Sequence, residues 1–422
     1  MKKIKNLKEA LSITNQLIDD IIFMCETRTK STYFTRAGKM NFKSIILFML
    51  NFVKKSIQIE LDSFLQNING GEASITKQGY SQARQKISPT AFIKMANAII
   101  SWFYSDDDFK TYKGYRLSAI DGSVSQLGSS ERLKESFDCL DNKSTNIALA
   151  VASSIYDIEN DMILTSKIAK YTSSERDLAV ELIEQLKNIG LKDDLILFDR
   201  GYPSSKLIAY LEKNGIKYLM RVSSSFLKAV NEAKEEDQIV EVKIDGKNIK
   251  IRVLRFILDS GEEEVLITNL LDEDLGIKDF KALYFKRWGI EVKYDELKNR
   301  LQIENFTGDT TLAVEQDFYA SIYLSNMIAI AKAEANQRIK QRNEGKNLKH
   351  EYKVNTNVLI GKLKDSLVLV LLEDSPRKRS KMLAKIIQEI SRNTVPIRPG
   401  RSNQRKIGVR ANKYPKNQKR CL

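Results

Sequence analysis

Residues Ser174–Val222 read SERDLAVELIEQLKNIGLKDDLILFDRGYPSSKLIAYLEKNGIKYLMRV. The stretch from Ser174 to Ile189 spaces its apolar residues as a helix does and opens on acids, which suits a helix N-terminus. Leu195–Phe198 is a short, wholly apolar run that stops at Asp199, as a buried strand would. Pro203–Asn214 reads as a second helix, stopped by Gly215, and Lys217–Val222 as a second strand. Strand and helix alternating in this way predict an α/β sheet with helices on its faces.

Working outward, Tyr115–Ile120 is an apolar-rich strand candidate ending in Asp121-Gly122. Asn146–Ser154 and Met162–Ile168 are two further strands. On the other side, Ile239–Ile244 and Ile249–Ile257 flank the turn Asp245-Gly246, a hairpin signal, and Glu264–Thr268 makes a third strand of this β-rich insertion. Asp279–Leu301 reads as one long helix. Leu312–Ile339 and Val358–Ile390 are helical, as is the front of the chain to about Asp108.

The 422 residues exceed one ordinary domain, and 42% of them are apolar, enough for real cores. A formal charge of +15, from 69 basic and 54 acidic residues, points to a polyanionic partner, although a soluble protein can simply be basic. Between Thr27 and Ile59 there is a long acid-free span holding Arg28, Lys30, Arg36, Lys39, Lys43, Lys54 and Lys55. Ser74–Lys86 is a short polar helix candidate that suits a major groove or, equally, a solvated face. The tail from Arg392 has ten basic residues, no acidic one and three prolines, and reads as flexible and polycationic. The longest apolar run, Ile45–Leu50, is far short of the ~20 residues a bilayer span needs, and no signal peptide is visible. Cys25, Cys139 and Cys421 show neither a disulfide nor a zinc pattern, which fits a reducing cytoplasm. With His350 the sole histidine, hydrolytic chemistry must rest on carboxylates.

Asp121 in LSAIDGS and Asp199 in LILFDRGY each follow an apolar strand, where an α/β sheet opens onto its ligand crevice. Asp-Gly after a strand is also an ordinary turn. The segment Tyr284–Lys298, YFKRWGIEVKYDELK, adds Tyr284, Arg287, Glu291 and Lys298. On one straight helix their offsets of 0, 3, 7 and 14 residues fall at about 0°, 300°, 340° and 320° around the axis, a single stripe. An exposed Arg287–Glu291 pair would account for two of the four.

This segment resembles the Y-(2)-R-(3)-E-(6)-K signature of bacterial insertion-sequence DDE transposases of the hairpin-forming, cut-and-paste group. IDGS and FDRGY look like that family's first and second aspartate motifs. The resemblance covers roughly residues 30–380. It implies an RNase H-like α/β fold: a mixed sheet with a β-rich insertion, flanked by helical N- and C-terminal regions. It implies that Asp121, Asp199 and Glu291 are the catalytic residues and hold two Mg²⁺ or Mn²⁺ ions. Tyr284, Arg287 and Lys298 inherit DNA contacts near the cleavage site. The implied partners are double-stranded DNA, as terminal inverted repeats and target, and a second copy of the chain, in a bacterial cytoplasm at the nucleoid and not at a membrane. Three carboxylates suit hard divalent ions, which activate a water or 3′-hydroxyl and stabilise the leaving oxygen. One departure is that the β insertion lacks the tryptophan that relatives set against a flipped base. The tryptophans are Trp102 and Trp288, leaving Phe226 or Phe256 as stacking faces or core residues.

The expected organisation is an end-binding helical region at 1–112, a first core part at 113–222, the insertion at 223–275, a second core part with the signature helix at 276–330, and C-terminal helices with the basic tail at 331–422. The expected activity is DNA cleavage at element ends followed by strand transfer. A nuclease of the same fold that cuts without joining is a rival, separable by looking for joined products. A non-catalytic DNA-binding relative is another, against which the intact acids argue.

Overall fold

The computed structural model describes residues 5–36, 38–51, 56–70, 74–139, 147–190, 193–223, 226–258 and 260–398. Lys54, Lys55, Cys421 and the tail from Pro399 onward lie outside them. In chain order the helical front comprises α1 (Leu7–Asp19), α2 (Ile21–Thr27), α3 (Phe42–Met49), α4 (Ile57–Asn69), α5 (Lys77–Arg84) and α6 (Thr90–Phe103). Then come β1 (Arg116–Gln126), α7 (Glu131–Phe137), β2 (Leu149–Asp157), β3 (Met162–Lys170), α8 (Glu175–Asn188), β4 (Asp194–Phe198), α9 (Ser205–Lys213), β5 (Lys217–Val222) and α10 (Lys228–Glu232). β6 (Asp237–Ile244), β7 (Lys247–Ile257), β8 (Glu263–Thr268), α11 (Ile277–Phe285), α12 (Trp288–Asn299) and α13 (Thr311–Asn343) follow. The chain closes with β9 (Tyr352–Val354), α14 (Thr356–Leu372), α15 (Pro376–Arg392) and β10 (Thr394–Pro396). These elements form two compact units. One holds residues 1–103, 126–148 and 297–422, the other 104–125 and 149–296.

The second unit is built on a sheet ordered β3-β2-β1-β4-β5-β8-β7-β6. β1, β4 and β5 run parallel, while β2 pairs with β3 and β5 with β8 antiparallel. The five strands β3 to β5 in this order form the RNase H-like core. β4, DLILF, is buried at every position, which is why it reads as a bare apolar run. The insertion strands do not stand apart: β8 hydrogen-bonds to β5, and β7 and β6 follow, so the insertion extends the core sheet. Arg116 and Asp194 pin β1 to β4 with a paired fork at 2.9 and 2.6 Å; the two are 2% and 8% exposed. Burial pushes the Asp194 carboxyl up to about 6, against the pull of Arg116.

In the first unit, α6 and α15 pack on the 33-residue α13, and α14 packs on α15. α5 occupies the polar segment around Ser74–Lys86, capped by Thr76, whose hydroxyl accepts from Gly79 N at 3.1 Å. Its Arg84 is 4% exposed and locked by Gln316, Thr307 and Asp317 at 2.9, 2.5 and 2.8 Å. That side chain is therefore a core anchor, as is the buried Tyr80, and Lys77, Gln78, Ser81 and Gln82 are the residues of α5 that face solvent. Pro376 at the first helical turn of α15 divides what reads as one helical stretch, Val358–Ile390, into two helices. Thr394–Pro396, inside the segment expected to be flexible, pairs with β9. No helix among the described residues is long and apolar enough to cross a membrane.

Candidate active site

Two expectations about the site's elements change. Asp121 does not end a strand: β1 continues through it to Gln126. The ladder to β4, however, pairs only Arg116–Ala119, so Asp121 lies just past the paired segment, where β1 overhangs its neighbour. The Asp121 side chain accepts its own next backbone N–H, from Gly122 at 2.9 Å, and Asp199 does the same with Arg200 at 2.6 Å. At Asp199 the chain does leave its strand, and Tyr202 N returns to the Asp199 carbonyl at 3.2 Å to close the turn.

The signature segment is not one helix. Arg287 N bonds Tyr284 O, Gly289 N bonds Lys286 O and Ile290 N bonds Arg287 O. These bonds span three residues, not four, so the chain tightens and separates α11 from α12. The straight-helix stripe from Tyr284 to Lys298 therefore does not exist as drawn from 100° steps. Gly289, a weak helix former, belongs to this junction and lets α12 lie close: a Cβ there would meet Ile158 Cγ2 at 3.2 Å. The junction is then held to the β2–β3 turn by Lys286 with Glu159, and α12 by Lys293, which is 3% exposed, with Asp161 at 3.0 Å.

What the break preserves is the local group. The same Arg287 nitrogen, Nη2, lies 3.1 Å from Glu291 Oε1 and 3.9 Å from Asp199 Oδ2. Arg287 is 5% exposed, and its Nε and Nη1 have no hydrogen-bond partner among the described residues. Burial pushes the Asp121 carboxyl up to about 6. The Gly122 N–H and the Arg287 charge pull it down, and the Asp199 and Glu175 carboxylates push it up again. Asp121, Asp199, Glu291 and Arg287 thus share one electrostatic neighbourhood. Tyr284 is buried against the end of β4, its hydroxyl 3.5 Å from Phe198 O, and burial pushes its phenol up. Lys298 lies past the boundary between the units and pairs with Glu304 at 3.2 Å. Phe256 is half-buried beneath Lys281 Nζ at 5.4 Å, and Phe226 is half-buried too. Phe285 and Trp288, by contrast, are 66% and 45% exposed.

Three residues of this region carry no signal of their own in the sequence. Tyr294, on α12, places its hydroxyl 2.9 Å from both Asp121 O and Ala152 O, tying the helix of Glu291 to the strand of Asp121. Arg221 on β5 meets the buried Glu264 on β8 at 2.8 Å. Glu175, the first residue of α8, lies against Gly122. Its position was legible as a helix start, its neighbour across the sheet was not.

Among the described residues, no three acidic, histidine or cysteine side chains are gathered tightly enough to hold a metal ion. The Arg287 guanidinium stands between Asp199 and Glu291, 3.9 Å from one and 3.1 Å from the other. The donor set is nonetheless all oxygen, the chemistry that hard divalent cations take.

The mixed sheet thus carries Asp121 just past the paired segment of β1 and Asp199 directly after β4, with Glu291 on α12 docked beside them. A family model described as the transposase DDE domain matches residues 112–327, just over half of the chain, and the chain belongs to that family. All three acids fall inside the match. No curated protein matches the chain. Among solved structures, a piggyBac transposase synaptic complex with hairpin DNA is 12% identical, with a TM-score of 0.46, covering 95% of this chain and 88% of that one.

Proposed function

We propose that this DDE-domain protein is a transposase that cuts DNA at the ends of a mobile element and joins them to target DNA, using divalent ions held by Asp121, Asp199 and Glu291. The observation that carries the reading is the Arg287 group: two of the three acids lie on one guanidinium nitrogen, the third feels its charge, and two more of its donor atoms are buried without partners among the described residues. A buried cation with spare donors beside carboxylates suits a phosphate oxygen as its next partner. Mg²⁺ or Mn²⁺, bound to the acids, would activate a water or 3′-hydroxyl and stabilise the leaving oxygen. Arg287 then neutralises Asp199 and Glu291 before loading and turns its free donors to the scissile phosphate. Tyr294 keeps Glu291 and Asp121 at a fixed spacing. Tyr284 and Lys298 are assigned to DNA near the cleavage point, Tyr284 through its ring, since its hydroxyl faces Phe198 O. Two copies acting on two paired inverted-repeat ends complete the proposal.

The test uses a duplex carrying the element's terminal repeat. Asp121→Asn, Asp199→Asn and Glu291→Gln keep side-chain size and remove a negative ligand, so Mg²⁺-dependent cleavage should disappear while duplex binding stays equal or rises. Arg287→Ala should slow cleavage and change affinity little. Wild-type cutting by any of the three acid variants would overturn the assignment. Cut but never joined products would favour the nuclease of the same fold.

A further inference from the structure

α15 reads PRKRSKMLAKIIQEISR from Pro376 to Arg392. Its apolar side is settled: Leu383, Ile387 and Ile390 are buried, and the helix packs on α13 and α14. At about 100° per residue those three lie close together, and the opposite side of the helix is a basic stripe. Counted from Arg377, Lys381, Lys385 and Arg392 follow at about 40°, 80° and 60°, all exposed, over about 22 Å of helix. Gln388 fills the gap between the last two, and Lys378 borders the stripe. The single acid of α15, Glu389, sits to one side at about 120° and is engaged by Lys362 of α14 at 2.9 Å. Arg377, Lys378, Lys381 and Lys385 form no ion pair among the described residues.

The stripe also breaks a local rule. Arg377, Lys378 and Arg379 stand in the first turn of α15, where the partial positive charge of the helix end repels cations. α1, α4 and α8 place glutamates there instead. Arg379 has a local use, since its Nε and Nη2 donate to Glu373 O and Asp374 O at 3.2 and 3.3 Å. The side chains of Arg377 and Lys378 have no such partner among the described residues. A local cost that the fold does not offset marks a surface kept for function.

The chemistry of the stripe selects its partner. No large apolar side chain is exposed anywhere on α15. A protein partner needs an apolar or aromatic centre to fill, and a membrane surface needs apolar side chains to insert; the stripe offers neither. A nucleic-acid backbone asks for cations spread along a line. Contacts of that kind hold phosphates and carry no base readout.

We propose that the outer face of α15 is a sequence-independent docking surface for the sugar–phosphate backbone of duplex DNA, with Arg377, Lys381 and Lys385 as its phosphate contacts. The proposal rests on the DNA-acting reading given under the preceding heading, and it adds a surface carried by the first unit.

The experiment titrates the full-length protein against two fluorescent duplexes, one with the element's terminal repeat and one of unrelated sequence, over a range of salt. Replacing Arg377, Lys381 and Lys385 together by alanine should flatten the plot of log affinity against log salt by about 2–3 and weaken both duplexes by the same factor. A second triple variant, with alanine at Lys243, Lys247 and Lys250, removes the same charge from the β6–β7 hairpin, where Glu241 and Asp245 stand among the lysines. It should change the slope by less than about 1, which separates a local contact from net charge. Circular dichroism verifies that both variants are folded. An unchanged slope in the α15 variant, or an equal flattening in the hairpin variant, overturns the proposal and leaves the transposase reading standing. A loss confined to the terminal-repeat duplex does the same, because α15 would then read sequence. A wild type that binds neither duplex overturns that reading and this proposal together.

Discussion

Asp121 is held under two opposed demands. It is sunk far enough to share a site with Asp199 and Arg287, and under the proposed function it must also remain a carboxylate able to bind a cation. Its carboxyl is pushed up to about 6, above the usual aspartate range, with burial the main cause. The sign follows from proton binding. Between about pH 4 and pH 6 the folded chain keeps a proton that the unfolded chain has released, so folding stability falls as pH rises through that window. Above it, the ionised group is a standing cost of roughly 1–3 kcal/mol. In EDTA, Asp121→Asn should therefore melt higher than wild type at pH 8, and the gap should close below pH 4. A pH-independent difference between the two melting temperatures would refute this account of the site. Arg287 shows the complementary case: its charge is met by Glu291 at 3.1 Å, while Nε and Nη1 are left over. The sequence offers both residues as site candidates, but not the burial that sets their properties.

At the level of elements, the site depends on how α12 meets the sheet. Tyr294 contributes the contact that crosses it, 2.9 Å to the carbonyls of Asp121 and Ala152. Tyr294→Phe keeps the ring and leaves two buried carbonyls short of a donor, a loss of about 1–3 kcal/mol. Chemical denaturation should register that loss, and kcat for cleavage should fall more than DNA affinity, because the spacing of Glu291 from Asp121 is what relaxes. Unchanged stability in Tyr294→Phe would show that solvent replaces the contact. Here the sequence was only partly legible. The strand at Leu195–Phe198 and the helix before it are announced by an uninterrupted apolar run and by helical apolar spacing behind an acidic start. The break at Lys286–Arg287 is not, since no proline marks it and the bonds that tighten it are backbone bonds. Asp121-Gly122 misleads in the opposite direction, because the dipeptide that signals a turn here stays within β1.

For the whole molecule, the basic surplus predicts a salt-dependent grip on DNA. Lys30, Arg36 and Lys77 are exposed in the acid-poor front, whereas Lys43 is drawn to Asp19 at 2.8 Å and Arg84 is locked in the core. Removing the front altogether would be a poor test of end binding, since α6 packs on α13 and Arg84 bonds Gln316 and Asp317. Alanine at Lys30, Arg36 and Lys77 together should instead weaken duplex binding and flatten the plot of log affinity against log salt by about 2–3. An unchanged slope would mean that this face does not meet phosphate.

Charge surplus, strand and helix periods, and the acids Asp121, Asp199 and Glu291 with the signature segment are properties of local order along the chain, and the sequence by itself determined them: an α/β protein with three candidate site acids and a basic surplus. Tertiary structure alone decided that β8 zips onto β5 so that the insertion extends the core sheet, that Lys298 turns to Glu304, and that Glu175 comes to rest against Gly122. The reason is physical. Hydrogen bonding and apolar spacing repeat every two to four residues and leave a mark in the sequence, while Glu175 and Gly122, 53 positions apart, meet only because packing of α8 on β2 and β3 brings the Glu175 side chain to Gly122.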